Sequence, residues 1–513
     1  MRAVVIPLFI TLVCNTPLLG IGNLYGQCYT FCPNVRVNDD EPGITGHFTY
    51  SSGSHTIAAR GDTVYLAWAD DRGPGRAVYF SKSTDKGLTW SENKKISGDD
   101  NCYFQSLAVD ERGYIYVVWS NGYRDIYVIS SIDGGESFGS VTVVNDTTST
   151  CVHPSVAVDT SGNVYVAWQD YRESDKPDIY FAKSTDGGLS FGTDIRVDDT
   201  GSDTSRQWFP TIGVNGSGEY AHIAWQDKRT GVYHVYSATS TDGGESFESN
   251  VLVVDTTGGG STKDQGNPSL VVGNDGVVYV VWTDFRGNAH IRFSKSIDHG
   301  NSFTGETVVS SHPGSWAQTH ASLACDSSGN LYIVWDDYMN WPSEDDIYFC
   351  MSMDGGDSFI YHTRVDDTGS DGSWQWDPTV AVNESGDVFV AWEDDRHFPA
   401  PPGFDIYFAT GMLTEIYENV EDGLIDDNLQ VKAYPNPFSK CCWFRISPNT
   451  SHPRLSVYNL IGQKVRDLPL PGDEYFTLWN GRDSQGENLP PGQYFCSISA
   501  GGERRTIKLI KVR

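Results

Sequence analysis

Short stretches in which apolar and polar residues alternate recur along most of the chain. Their period of two places one face of a strand in a core. The alternation is clearest in PSVAV from Pro154, NVYVAW from Asn163, DIYFAKS from Asp178 and DIRVDD from Asp194. Separated by turn residues, these runs predict four consecutive antiparallel strands, called a, b, c and d. The quartet repeats, and a tryptophan closing strand b marks each copy: Trp68, Trp119, Trp168, Trp225, Trp282, Trp335 and Trp392. Units of about 50 residues with four strands are propeller blades.

The last copy, DPTVAV to DIYFATG, stops near Gly411 without a strand d. Residues 34–40, NVRVNDD, match the strand d sequences DIRVDD and HTRVDD, yet they precede the first strand a. An N-terminal strand that completes the last blade closes the ring and leaves no unpaired edge. The expectation is an all-β chain with a seven-bladed β-propeller over residues 28–411, closed by its N-terminal strand.

Between strands c and d an octapeptide recurs: STDKGLTW at Ser83, SIDGGESF at Ser131, STDGGLSF at Ser184, STDGGESF at Ser240, SIDHGNSF at Ser296 and SMDGGDSF at Ser352. Its parts suit a turn. Asp186 can accept hydrogen bonds from turn amides, Gly188 suits a positive φ, and Phe191 can plug back into the blade. The pattern S-x-D-x-G-x-[ST]-[FW] resembles the Asp boxes, or bacterial neuraminidase repeats, of sialidase-like propellers, over about three quarters of the chain. The resemblance implies a structural role for Asp85, Asp133, Asp186, Asp242, Asp298 and Asp354.

Sialidase activity in that family requires an arginine trio, a tyrosine nucleophile with a glutamate partner, an aspartate acid/base and an N-terminal [FY]-R-[IL]-P signature. The signature is not found; VRVN at Val35 belongs to strand d and recurs as IRVD and TRVD. Catalytic members usually have six blades, so no catalytic residue is assigned here.

Blade topology puts every Asp box on one face and the b–c and d–a loops on the other, where a single binding site is expected. The b–c loops repeat an aspartate and an arginine after the tryptophan: Asp70 and Arg72, Asp170 and Arg172, Asp227 and Arg229, Asp284 and Arg286, Asp394 and Arg396. These arginines either hold an anionic ligand or pair with their own aspartates. The d–a loops differ between blades and concentrate Trp208, Trp316, Trp374 and Trp376 near His153, His320 and Asp377. Aromatic platforms beside polar groups suit sugar rings, and the same tryptophans also suit wedges between blades.

Composition narrows the partners. Lys and Arg number 36 against 67 Asp and Glu, a formal charge of −31 without a basic patch, which argues against nucleic acid. Such a surface keeps an exported protein soluble or supplies oxygen ligands for calcium; no motif calls for a metal or cofactor. Residues 1–27 read as a secretory signal peptide, and no later stretch is apolar enough to span a membrane. Nine of the ten cysteines follow Cys14 in the leader. Candidate pairs are Cys28 with Cys32, Cys102 with Cys151, and Cys441 or Cys442 with Cys496, whereas Cys325 and Cys350 fall on strands too far apart.

After an acidic linker over residues 412–428 the pattern changes. Residues 429–513 carry AYPNPF, LSVYNLIGQKVRDL and LWNGRDSQGENLPPGQYF before a basic end, which predicts a small β-sandwich. The segment resembles the C-terminal sorting domains of type IX secretion substrates and the immunoglobulin-like module of the flagellar hook-capping protein. That resemblance implies handling by outer-membrane secretion machinery and a place outside the cell or on its surface. The leading expectation is an exported propeller that binds glycans or other extracellular ligands on its box-free face. The alternatives are a glycoside hydrolase of sialidase-like scaffold and a structural or protein-binding surface component.

Overall fold

A computed structural model describes residues 25–511 apart from 44, 50–54, 202–204, 255–263, 287, 311–316, 339–344, 369–371, 398–402, 418–430, 435–441, 447–453, 469–475, 480, 486–487 and 501–502. Among the described residues every regular element is a strand, and no helix is long and apolar enough to cross a membrane. The chain divides into two compact units between Ile416 and Tyr417.

Among the described residues, the first unit holds seven sheets of four or five strands. The third is representative: Cys151–Val158, Val164–Asp170, Asp178–Ser184 and Ile195–Arg196 pair antiparallel in sequence order. Its register sets Cys151 opposite Asp170 and Asp170 opposite Asp178, so the d–a and b–c loops share one end of the blade. The boxes occupy the other. In the last sheet, Asp405–Tyr417 pairs with Val388–Asp394 on one side and with Tyr25–Phe31 and Val35–Arg36 on the other. Val35 lies opposite Phe408 and Arg36 opposite Tyr407. The expected leader lies outside the described residues up to residue 24, and its end, from Tyr25, enters this sheet. The strand expected to stop near Gly411 runs on to Tyr417.

The innermost strands pack in cyclic order, and Gln375–Val382 packs against Ile57–Arg60 to close the ring. A line of hydrogen bonds follows it. The amides of Val156, Ile212, Leu270, Leu323 and Val380 donate to the hydroxyls of Ser106, Ser155, Thr211, Ser269 and Ser322 in the preceding blades at 3.2–3.3 Å. Thr56 N–H donates to Thr379 Oγ1 at 3.4 Å and Leu107 N–H to the His55 carbonyl at 2.6 Å, which completes the circuit.

The seven marker tryptophans are fully buried between sheets. Removing about 200 Å² of indole from water at about 25 cal/mol per Å² contributes about 5 kcal/mol each before the entropy of ordering is subtracted. The boxes tie the seams on the opposite face. Phe138 packs edge-on against Phe80 of the preceding blade at 5.0 Å, Phe247 against Phe181 at 5.1 Å, and Phe359 against Phe293 at 5.1 Å. Phe191 joins the cluster that holds Tyr116 and Val128 of the preceding blade. The plug expected inside one blade therefore bridges two. A Cβ on Gly135 would come within 2.6 Å of the Phe80 ring, and the φ of +83° also suits only glycine, so close approach and backbone conformation fix this residue together.

Two of the disulfide expectations are corrected: Cys102, Cys151 and Cys496 are free and buried, so neither the Cys102–Cys151 bridge nor one to Cys496 forms. Cys102 and Cys151 each begin a strand a in successive blades, and their thiols are engaged by Ser97 at 3.3 Å and by Asp170 at 3.4 Å within their own blades. Cys442 and Cys496 share the core of the second unit without a bridge between them. Cys28 and Cys441 have side chains outside the description.

The described residues of that second unit form two sheets, Val431–Tyr434, Cys442–Ile446 and Phe476–Trp479 in one, Lys464–Leu468, Arg454–Asn459, Gly492–Ala500 and Glu503–Lys511 in the other. They share a core that includes Phe444, Val457, Trp479 and Leu509.

A histidine secures the closing seam. His47 is buried opposite Asp70, with Nε2 3.2 Å from Asp40 and 3.3 Å from Asp70 and Nδ1 2.5 Å from the Phe404 carbonyl. Asp40, His47 and Asp405 are close enough to hold a metal, but Thr45 donates to Asp40, and Asn38 donates to both Asp40 and Asp405. Burial disfavours the imidazolium, yet Asp40 and Asp70 outweigh it and raise the His47 pKa to about 10. Because the folded pKa is raised, this contribution is complete below about pH 6.5 and lost as pH rises through about 10. The same strand position carries Gln207 and Gln318 in other blades, so His47→Gln should fold. It should lower the unfolding free energy by about 1–3 kcal/mol near pH 6. In denaturant titrations the gap from wild type should shrink toward pH 10.

Candidate functional site at the channel mouth

Strand a is irregular where it meets the box-free face. In six blades its register with strand b slips, as between Val152 and Ser155 or Trp208 and Thr211. Each slip contains a residue other than glycine at positive φ: Phe104 (56°), His153 (52°), Phe209 (55°), Asn267 (51°), His320 (48°) and Asp377 (48°). Each costs about 1 kcal/mol or more and persists only where its surroundings fix it. The preceding blade supplies the fixing contact: Gln169 Oε1 accepts the Phe209 N–H at 2.9 Å, and Gln226 Oε1 accepts that of Asn267 at 3.1 Å. His153, His320 and Asp377 were singled out by sequence. Phe104, Phe209 and Asn267 were not, although all six occupy the third position of strand a and four precede a proline.

These residues divide the mouth into two chemical halves. Between the second, third and fourth blades lies a cavity of about 290 Å³ lined by Phe104, Tyr123, Val152, His153, Gln169, Tyr171, Trp208 and Phe209. His153 stacks on Phe104 at 3.7 Å and meets Phe209 edge-on at 4.6 Å. Burial lowers its pKa to about 3, so the ring is neutral. Trp208 stacks on Tyr233 at 5.1 Å.

Between the sixth and seventh blades the mouth is acidic. His320 Nδ1 lies 3.1 Å from Asp336 and 3.6 Å from Asp377. Burial opposes its charge, but Asp336 and Asp377 raise its pKa to about 10, so it is an imidazolium at neutral pH. Burial, assisted by Asp336 and opposed by His320, raises the pKa of Asp377. Trp376 Nε1 donates to Asp345 at 2.5 Å, and burial still lifts that carboxyl to about 7. Trp374 meets Trp376 edge-on at 5.1 Å. Trp316 lies outside the described residues. Asp336 and Asp345 escaped the sequence reading; the signal was Asp336 standing where the third and fourth blades carry Gln169 and Gln226.

The arginines of the b–c loops stand elsewhere. Trp68 Nε1 donates to Asp70 at 3.0 Å, and Asp70 accepts the Arg72 backbone N–H and Nε–H, both at 2.9 Å. Arg72 also reaches Asp39 at 2.6 Å and lies 4.5 Å over Tyr79. Arg172 is held by Asp170, Asp146 and Asp194, and Arg229 by Asp227 and Asp199. Asp284 and Glu306 hold Arg286, and Asp394 and Asp367 hold Arg396. The second aspartate often sits at a seam: Asp199 N–H donates to Asn250 at 2.8 Å, and Asn250 N–H donates back at 3.0 Å.

The Asp boxes are self-contained. Ser184 Oγ donates to Asp186 at 2.7 Å, the Leu189 and Ser190 amides donate at 3.0 and 2.9 Å, and the Ser190 hydroxyl at 2.5 Å. Ser184 Oγ also accepts the Gly188 N–H at 2.9 Å. Asp85, Asp133, Asp242, Asp298 and Asp354 repeat the serine-to-aspartate bond at 2.7–2.8 Å.

The fold is thus that of a β-propeller, and the chain carries an export module. Residues 432–512 match the family described as the secretion system C-terminal sorting domain, which marks the chain for type IX secretion to the cell surface or extracellular space. Among curated proteins, none matches the sequence. Solved propeller enzymes do match by structure. An ulvan lyase from a polysaccharide lyase family superposes with a TM-score of 0.50 at 12% identity, over 73% of this chain and 95% of its own. An α-L-arabinanase from Penicillium chrysogenum gives 0.44 at 13% identity over 60% and 92%, and a Hadza microbial sialidase 0.40 at 16% over 67% and 73%. At these identities the likeness concerns the fold alone.

The boxes carry a testable pH dependence. Hydrogen bonds led by those from Ser190, Ser246 and Ser302 hold Asp186, Asp242 and Asp298 at about 2. Their folded pKa values are depressed, so the stability they give is present above about pH 4 and lost as pH falls through 2. Asp186→Ala should cost about 1 kcal/mol at pH 7, modest because the turn is solvated, and progressively less below pH 4. Acid-unfolding curves of the two proteins should therefore converge at low pH.

Proposed function

We propose that this exported propeller binds glycans at the channel mouth on the face opposite its Asp boxes. The observation that carries the reading is the cavity between the second, third and fourth blades, where Phe104, Trp208 and Phe209 surround a neutral histidine on a backbone held in a costly conformation. Its volume sits near the lower end of small-molecule pockets, the scale of a single ring, and aromatic faces favour the C–H face of a sugar over an ion. Imidazole, amide and phenol groups from His153, Gln169 and Tyr171 stand beside those faces to meet hydroxyls. The five b–c loop arginines serve the scaffold in this reading, since their own chain neutralises each one.

A glycoside hydrolase is the second reading. It is favoured by Asp345, a buried carboxyl at about 7 and therefore partly protonated at neutral pH, as a general acid must be. Arrayed glycans and a panel of chromogenic glycosides separate the two, because binding without turnover supports recognition and turnover supports hydrolysis.

Trp208→Ala should weaken glycan binding at least tenfold, about 1.4 kcal/mol, with little change in unfolding midpoint; unchanged binding would remove the cavity from the account. Deleting residues 429–513 should leave a folded propeller in the periplasm, detected by fractionation, and normal surface delivery of that chain would contradict the assigned export route.

A further inference from the structure

The two halves of the mouth are one frame built twice, three blades apart. His153 corresponds to His320, Gln169 to Asp336, Tyr171 to Tyr338, Trp208 to Trp376 and Phe209 to Asp377, each pair at the same strand or loop position. The backbone repeats with the residues: φ is 52° at His153 and 48° at His320, 55° at Phe209 and 48° at Asp377. Trp208 packs on Tyr233 at 5.1 Å, and Trp376 on the equivalent Phe404 at 5.0 Å. Only the chemistry differs, with an amide and a phenyl in one copy replaced by two carboxylates in the other.

The second copy has a polar group without a partner. Asp336 is fully buried; its Oδ2 accepts from Thr319 Oγ1 at 2.9 Å and from His320 at 3.1 Å, while Oδ1 is left without a donor. A buried carboxylate oxygen without a donor is costly, and a donor brought by a ligand relieves that cost. Beside it His320 and Asp377 keep 30% and 22% of their side chains exposed, one able to donate and the other to accept. A vicinal pair of hydroxyls, each both donor and acceptor, satisfies this set.

We infer that the His320–Asp336–Asp377 copy is a second subsite, which binds the hydroxyl edge of an uncharged sugar, so that a neutral polysaccharide spans the mouth from the aromatic copy to this one. The inference rests on the glycan reading above. Uronic, sialic or sulfated sugars would bring an anion against Asp336, Asp345 and Asp377, where the His320 imidazolium is already shared by two carboxylates. Cationic amino sugars would face that imidazolium.

The test uses the mature full-length protein and calorimetry with neutral gluco-, manno- and xylo-oligosaccharides, oligouronides, sialylated and sulfated oligosaccharides, and glucosamine oligomers. Asp336→Gln and Asp377→Phe each introduce the residue that the aromatic copy carries, so the frame has room for them; Asp336→Gln alone carries the test if Asp377→Phe fails to fold. Neutral chains should bind at least tenfold tighter than charged ones, and each variant should lose about tenfold for neutral chains. Equal or tighter binding of acidic or amine-bearing glycans would overturn the neutral class. Wild-type affinity in both variants, or in Asp336→Gln alone, would overturn the second subsite and leave the glycan reading standing. Failure of wild type to bind any glycan would overturn both.

Discussion

Ring closure governs the first unit, because a four-stranded sheet cannot bury both of its faces alone and a row of such sheets ends in two exposed faces and a ragged edge. Pairing Val35–Arg36 with Asp405–Tyr417 removes that edge, and the hydroxyl-to-amide bonds that run around the inner strands fix the angular step from blade to blade. The closing seam also carries His47 between Asp40 and Asp70, where other blades manage with glutamine. A charged clasp at the one junction formed by distant ends of the chain suits the place where loop-closure entropy is greatest.

Once the ring is fixed, repeated residues are largely consumed in holding it. The indole of strand b orients an aspartate, the aspartate orients an arginine, and the arginine lies over the strand c tyrosine and binds a carboxylate near the seam. Box serines and aspartates satisfy one another, and box aromatics lock onto the blade before. Chemistry is left to positions that escape the repeat, above all the left-handed residue of strand a and the residue after the strand b tryptophan. Variation at those two positions turns a symmetric frame into an aromatic cavity on one side and an acidic cluster on the other.

This division explains how much could be read from the sequence. The strand quartets, the tryptophans, the N-terminal strand and the sorting module were legible because periodicity and turn chemistry are local. Trp208, Trp374, Trp376, His153, His320 and Asp377 could be named from the variable d–a loops, yet their organisation could not, because a register slip and a positive φ at Phe209 or Asn267 arise from contact with the neighbouring blade. The opposite charge states of His153 and His320 were equally hidden; identical residues at equivalent positions differ through their surroundings, Phe104, Gln169 and Phe209 around one and the carboxylates of Asp336 and Asp377 around the other. The Asp–Arg pairs could be read two ways until Asp39, Asp146 and Asp199 were seen to reach the same guanidinium groups. Cys102 and Cys151 looked like a bridge only because equivalent positions in successive blades recur at a regular spacing.

Hydrogen exchange on the mature protein, with and without a saturating neutral oligosaccharide, distinguishes ligand taken at the mouth from ligand taken on the box face. Protection should be confined to the starts of the strands a, around residues 150–153, 207–209 and 318–320, with exchange in the Asp-box turns unchanged. Protection of the box turns around Asp186 and Asp242, with none at the strand a bulges, would contradict binding at the mouth.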